Sequence, residues 1–212
     1  MRTDALIHAL VEDSQTRATS LERRLAAALP IGFVVSLALF LVTLGPRPDI
    51  LQALQTPRFL LKLVEALIFA ATAMAFALRL ARPGAPLHGA RVVLLAAPVL
   101  LAAAVTGELL LVDPTDWSAR LIGENSRVCL SAIPFLSLPL LAAALYVLRS
   151  GAPTRPALTG AAAGFLASGL AASLYALHCP DDSPLFVATW YSLAIAAVSL
   201  VAAFAGRYLL RW

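Results

Sequence analysis

The sequence predicts an all-α, polytopic membrane protein, a bundle of six transmembrane helices preceded by a short amphipathic helix. Three observations carry this reading. Of 212 residues, 60% are hydrophobic and 13% charged, with a mean hydropathy of +0.85. A soluble domain carries about 25% charged residues, so this chain lacks the polar groups to cover a folded surface in water. The apolar residues fall into runs close to the ~20 residues that a helix needs to cross ~30 Å of hydrocarbon. Short turns rich in Pro, Gly and Asp separate the runs. Within hydrocarbon only a helix satisfies the backbone of such a segment by itself.

The first element is the polar segment 1–24. Thr3 or Asp4 is placed to cap a helix in which Leu6, Ile7, Leu10 and Val11 share one face at helical spacing. That face suits either rest on the membrane surface or docking of a cytoplasmic partner. It is too short to be an enzyme and long enough to bind one. Residues 25–212 form the transmembrane domain, with spans at Leu25–Leu44, Phe59–Leu78, Val92–Val112, Val128–Leu148, Ala157–Leu177 and Leu185–Ala205. The first run lies behind a polar segment and is long enough to span, which reads as an uncleaved first span. The connections Gly45-Pro46-Arg47-Pro48-Asp49, Arg82-Pro83-Gly84-Ala85-Pro86, Asp113-Pro114-Thr115-Asp116 and Cys179-Pro180-Asp181-Asp182 read as turns. Span five carries a row of small residues, Gly160, Gly164 and Ser168. That row suits close packing in the bundle or self-association into a homo-oligomer, and the sequence leaves both open.

Net charge +4 and a pI near 9.6 raise the question of nucleic acid. No basic run is dense enough for it, and a positive-inside membrane protein accounts for the same balance. Fifteen of the sixteen basic residues are Arg, a bias that fits a GC-rich bacterial genome. Eleven of the fifteen lie on one side: Arg2, Arg17, Arg23, Arg24, Arg79, Arg82, Arg91, Arg149, Arg155, Arg207 and Arg211. Arg47, Arg58, Arg120 and Arg127 lie on the other. The count predicts cytoplasmic termini in a bacterial inner membrane.

That orientation puts both cysteines, Cys129 and Cys179, at the outer face, where an oxidising compartment is expected. Two small buried residues or a constitutive disulfide are one reading; a thiol pair that responds to oxidation or to a soft metal is the other. Cys129, His178, Cys179, Asp181 and Asp182 together offer S, N and O ligands for a transient soft ion, without the repeated spacing of a structural zinc site. No resident cofactor is expected. Lys62, Glu65 and Glu108 are intramembrane charges near the same surface. A Lys62–Glu65 or Lys62–Glu108 pair is the expected arrangement, and an ion or proton site is the alternative.

The stretches Val128-Cys129-Leu130, Pro134, Leu148-Arg149-Ser150-Gly151-Ala152-Pro153 and the run from Tyr175 through His178-Cys179-Pro180-Asp181-Asp182-Ser183-Pro184 to Trp190-Tyr191 resemble the NrsF family. The opening Thr3-Asp4-Ala5-Leu6-Ile7 is similar as well. These are bacterial six-span anti-sigma factors, so the resemblance implies a non-enzymatic regulator that holds an extracytoplasmic-function sigma factor at the membrane. It implies that Cys129 and Cys179 sense the releasing stress. It makes Asp4, Leu6, Ile7, Leu10 and Val11 the leading docking residues. A quinone-linked thiol–disulfide oxidoreductase and a small transporter are the competing readings. The first usually has a Cys-x-x-Cys pair, absent here, and the second needs a charge relay across the bilayer.

Overall fold

The protein is described by a computed structural model that covers residue 3 and residues 20–211. Among these residues there is no strand, and six helices are long and apolar enough to cross a membrane. They are α1 (Leu21–Thr43), α2 (Pro57–Leu80), α3 (His88–Leu111), α4 (Ser126–Leu148), α5 (Pro156–Ala176) and α6 (Pro184–Leu209). The fold class read from the sequence holds, and the differences lie at the ends. Helix α1 starts four residues earlier than expected because Ser20 caps it, accepting from the Arg23 amide at 3.4 Å. Arg23 and Arg24 therefore ride on its first turn. Thr56 caps α2, and Pro57 takes the first helical position, where a missing N–H costs nothing.

Two spans are irregular. Helix α3 consists of His88–Leu94 and Ala96–Leu111, joined at Leu95. Pro98 supplies no N–H to the carbonyl four residues earlier, at Leu94, which explains the break. Helix α6 opens with Pro184–Phe186, widens into a π-helical turn at Val187–Tyr191, and becomes regular from Ser192. Two short helices absent from the sequence reading, Ile50–Ala53 and Trp117–Ile122, sit in the 1–2 and 3–4 connections.

Helix α5 is the axis of the bundle. Of its most apolar window 72% is buried, against 11% for α3, which lies at the periphery. Helices α2, α4 and α6 pack around α5, and α1 packs on α4. Small residues make these approaches close. A Cβ on Gly164 would lie 2.7 Å from Ser199 Cα, and one on Gly160 would strike the Ala202 carbonyl oxygen. Gly206 meets Pro156 in the same seam, and Gly169 faces Ala70 of α2. The small-residue row of span five is thus consumed by packing within the chain. Leu110, Leu111, Val42 and Leu200 stay exposed on the perimeter, as expected of helices solvated by lipid.

The connections gather at two ends. At one, the 2–3 and 4–5 loops meet through Ala152 N–H to the Ala81 carbonyl (3.2 Å), and Arg82 pairs with Glu22. At the other, the 1–2, 3–4 and 5–6 loops form a polar layer over both cysteines.

Candidate functional site

The polar layer is organised by the loop between α5 and α6. Helix α5 ends in a tight turn in which the His178 and Cys179 amides both donate to the Tyr175 carbonyl at 3.0 Å. The exposed carbonyls and carboxylates beyond it are then claimed by cations from other elements. Lys62 of α2, 2% exposed, donates to the Cys179 carbonyl (2.8 Å) and the Asp181 carbonyl (3.3 Å), and pairs with the Asp182 carboxylate at 2.5 Å. Arg47 of the 1–2 loop bridges Asp182 (2.8 Å) and Asp49 (2.7 Å), and its amide donates to the Leu177 carbonyl. Its guanidinium holds the Asp49 carboxyl below the usual carboxylate range. His178 Nδ1 lies 2.9 Å from the Gly45 carbonyl oxygen, and Gly45 has the positive φ that closes α1.

Asp181 turns the other way, toward α4. Its carboxylate accepts from the Asn125 amide (2.9 Å), the Asn125 side chain (3.2 Å) and the Glu124 amide (3.2 Å). A carboxylate there satisfies free N–H groups and complements the positive end of the helix dipole. The Asn125 carbonyl in turn accepts from the Cys129 amide (2.8 Å) and the Tyr175 hydroxyl (3.3 Å). Asp181, two residues after Cys179, therefore joins the 5–6 loop to the turn that leads to Cys129.

The cysteines are both 0% exposed and both free thiols. Cys179 Sγ is 3.9 Å from the Asp181 carbonyl oxygen and from its carboxylate. Burial pushes the Cys179 thiol up, and the nearby Lys62 only partly offsets it. A protonated, buried thiol is a poor nucleophile and a poor metal ligand, so the resting site is quiet.

The predicted intramembrane pairs are corrected by the structure. Lys62 bonds neither Glu65 nor Glu108; its long side chain climbs to Asp182, where carbonyls complete its shell. Glu108, 4% exposed, is instead held by Arg120 (3.1 Å), Arg58 (3.5 Å) and the Ser183 hydroxyl (2.8 Å), which fixes the start of α6 against α3. Glu65 has no hydrogen bond or ion pair among the described residues. The ligand set Cys129, His178, Cys179, Asp181 and Asp182 is also not assembled. Among the described residues no group of three or more His, Cys, Asp or Glu is arranged for a metal ion. The reason is local: Lys62 and Arg47 occupy Asp182, the Gly45 carbonyl occupies His178, and α4 occupies Asp181. Arg47, Arg58 and Arg120 were not singled out from sequence. Their place on the Arg-poor face, beside its acidic residues, was the available signal.

The docking residues Asp4, Leu6, Ile7, Leu10 and Val11 lie outside the described residues. What is described of that end is a cleft of about 730 Å³ between α1 and α4, lined by Arg24, Ala28, Ile31, Tyr146 and Arg149 among others.

Comparison with known proteins then gives the family. The family model described as "Negative regulator of sigma F" matches residues 10–212. The chain is 40% identical over 216 residues to the anti-sigma-F factor NrsF of Caulobacter vibrioides (strain NA1000 / CB15N), covering 100% of both chains. It is 35% identical over 214 residues to the probable anti-sigma-F factor NrsF of Azospira oryzae (strain ATCC BAA-33 / DSM 13638 / PS), again over 100% of both. No solved structure matches it. With six membrane-length helices and a match along its whole length, the chain belongs to the NrsF family of negative regulators of sigma F.

Proposed function

We propose that this protein is a bacterial inner-membrane anti-sigma factor with cytoplasmic termini. It holds an extracytoplasmic-function sigma factor at the arginine-rich face and releases it when the periplasmic thiols Cys129 and Cys179 are modified. The observation that carries the reading is the Asp181 bridge. Oxidation or metallation of buried Cys179 disturbs a loop whose neighbouring carboxylate holds the start of α4, four residues before Cys129. Helix α4 runs from that point through Tyr146 to its cap at Arg149, and these two residues line the cleft beside the first turn of α1. Segment 1–24, with Asp4, Leu6, Ile7, Leu10 and Val11, leads into that turn and supplies the docking helix. A change at the thiol end thus reaches the docking end along one element, so that the stress selects between two arrangements with different affinity for the sigma factor. A disulfide between the two thiols is one trigger. A soft metal is the other, and since His178 and Asp182 are already engaged, the two sulfurs are its principal ligands.

A sigma-dependent transcriptional reporter tests this in cells carrying wild type, the double Cys129→Ser/Cys179→Ser variant, or a chain lacking residues 1–24. The wild type should repress until an oxidant or soft metal is added. The double variant should repress and no longer respond, and the truncated chain should fail to repress while still inserting. Normal induction in the double variant removes the sensing role.

A further inference from the structure

Two clefts flank the Arg-rich end of α4 and share one ridge. The first, of about 730 Å³, lies between α1 and α4 and descends from Arg24 to Ile31. The second, of about 370 Å³, lies between α4 and the end of α6, lined by Leu138, Leu145 and Leu209 among others. Tyr146 and Arg149 line both. Tyr146 is 80% exposed, so its ring stands out from the bundle and divides the two. Below this ridge the walls are apolar. Leu138 lies eleven residues before Arg149, about 16 Å down a helix, which is close to half of the ~30 Å of hydrocarbon. Each cleft therefore has a cationic mouth at the level of the headgroups and an apolar floor that runs into one leaflet. The Arg149 guanidinium is exposed and has no hydrogen bond or ion pair among the described residues. Among the described residues no carboxylate lines either cleft, and Glu22, the one described carboxylate of that end, pairs with Arg82.

We infer that this end of α4 binds an anionic diacyl phospholipid, its phosphate on Arg149 and one acyl chain in each cleft, with Tyr146 between the chains. A phosphate accepts two guanidinium hydrogen bonds at once, which gives Arg both strength and orientation there. Basic residues above a groove between spans are a recurring setting for an anionic headgroup. A zwitterionic lipid offers the same chains, but its ammonium group offsets the attraction. A water-soluble acidic segment can reach Arg149, yet not the floors at Leu138 and Ile31, which lie below the headgroups. A lipid seated there touches α1, α4 and α6, and so fastens the first turn of α1 to the ends of the other two. The site does not depend on the thiols or on the sigma factor.

The test uses native mass spectrometry of the full chain in detergent, with dioleoylphosphatidylglycerol as probe and dioleoylphosphatidylcholine as its zwitterionic counterpart. One phosphatidylglycerol per chain should be retained, about fivefold more tightly than phosphatidylcholine, the worth of one Arg at an anionic membrane surface. Arg149→Gln should remove that preference. Arg91→Gln, which deletes a charge of the same end outside both clefts, should leave it intact. Ala27→Trp and Ala142→Trp place a ring in the first and the second cleft, and each should weaken retention of phosphatidylglycerol. Arg149, Ala27 and Ala142 are all exposed, so these variants should melt with the wild type, separating lost binding from lost folding. Equal retention of the two lipids overturns the proposal. So does a preference that survives Arg149→Gln, or retention indifferent to both Trp variants, which would mark loose surface charge. Displacement by inorganic phosphate or an oligoglutamate peptide also overturns it, and would mark Arg149 as a contact for a soluble acidic partner.

Discussion

Lys62, in the first turns of α2, and Asp182, in the loop before α6, lie 2.5 Å apart with the lysine almost wholly buried, although 120 residues separate them in sequence. This pair is the hinge pin of the polar layer. It ties the thiol loop to the second span while Asp181 ties the same loop to the fourth.

Lys62→Met leaves the Cys179 and Asp181 carbonyls without their donor and Asp182 with Arg47 alone. It should lower stability by about 2–4 kcal/mol, as expected when one partner of a buried pair is removed. Lys62→Met/Asp182→Leu should recover part of the loss, because no buried charge is then stranded. Thermal unfolding of the three purified proteins reads this directly. Equal stability of Lys62→Met and wild type would show the pair to be decorative.

Asp181→Ala removes the carboxylate that accepts from the Asn125 and Glu124 amides at the start of α4. The cost should be about 1–2 kcal/mol, in the range of lost N-caps. Freed from that tie, the start of α4 should open, so Cys129 should react faster with a methanethiosulfonate reagent than in wild type. Unchanged labelling would count against the Asp181 bridge.

The Cys179 thiol titrates above its ordinary range because burial disfavours the thiolate. Its unfolded-state pKa is ~8.5. The unfolded chain therefore releases this proton first, and the contribution to stability is complete below about pH 8.5 and declines as pH rises further. Melting temperatures from pH 7 to pH 10 should fall more steeply for wild type than for Cys179→Ser. Parallel curves would show that the thiol is not buried in solution.

Gly164→Leu should prevent accumulation of the folded protein, because even a Cβ at that position lies 2.7 Å from Ser199 Cα and helix α6 must move away. Gly164→Ala should cost about 1–3 kcal/mol. Gly107→Ala, which faces open space on α3, should be neutral or slightly stabilising. Membrane levels by immunoblot, followed by melting of whatever accumulates, give the order. If Gly164→Leu folds normally, α5 and α6 are not seated as described.

Much of this protein is determined locally. Hydrophobic runs near twenty residues fix six helices whatever their neighbours do, because a backbone in lipid has no other way to satisfy itself. The same runs, read with their turns, put Cys129 and Cys179 at one end. Partner choice was decided only by the tertiary structure. Lys62 has Glu65 close by in sequence yet bonds Asp182, because side-chain reach and the geometry of the 5–6 turn set the pairing, and sequence separation carries no information about either. The row Gly160, Gly164 and Ser168 announced a close contact without saying against what; α6 fills it because Ser199, Ala202 and Gly206 present an equally small surface at the matching height. The unpaired Tyr191 hydroxyl was likewise invisible in the sequence, which places a tyrosine in the sixth span and says nothing of its neighbours. It is an unpaired donor only in the fold, where the ring packs against Tyr175 of α5 and Phe186, and those aromatic rings bring no acceptor to its buried hydroxyl.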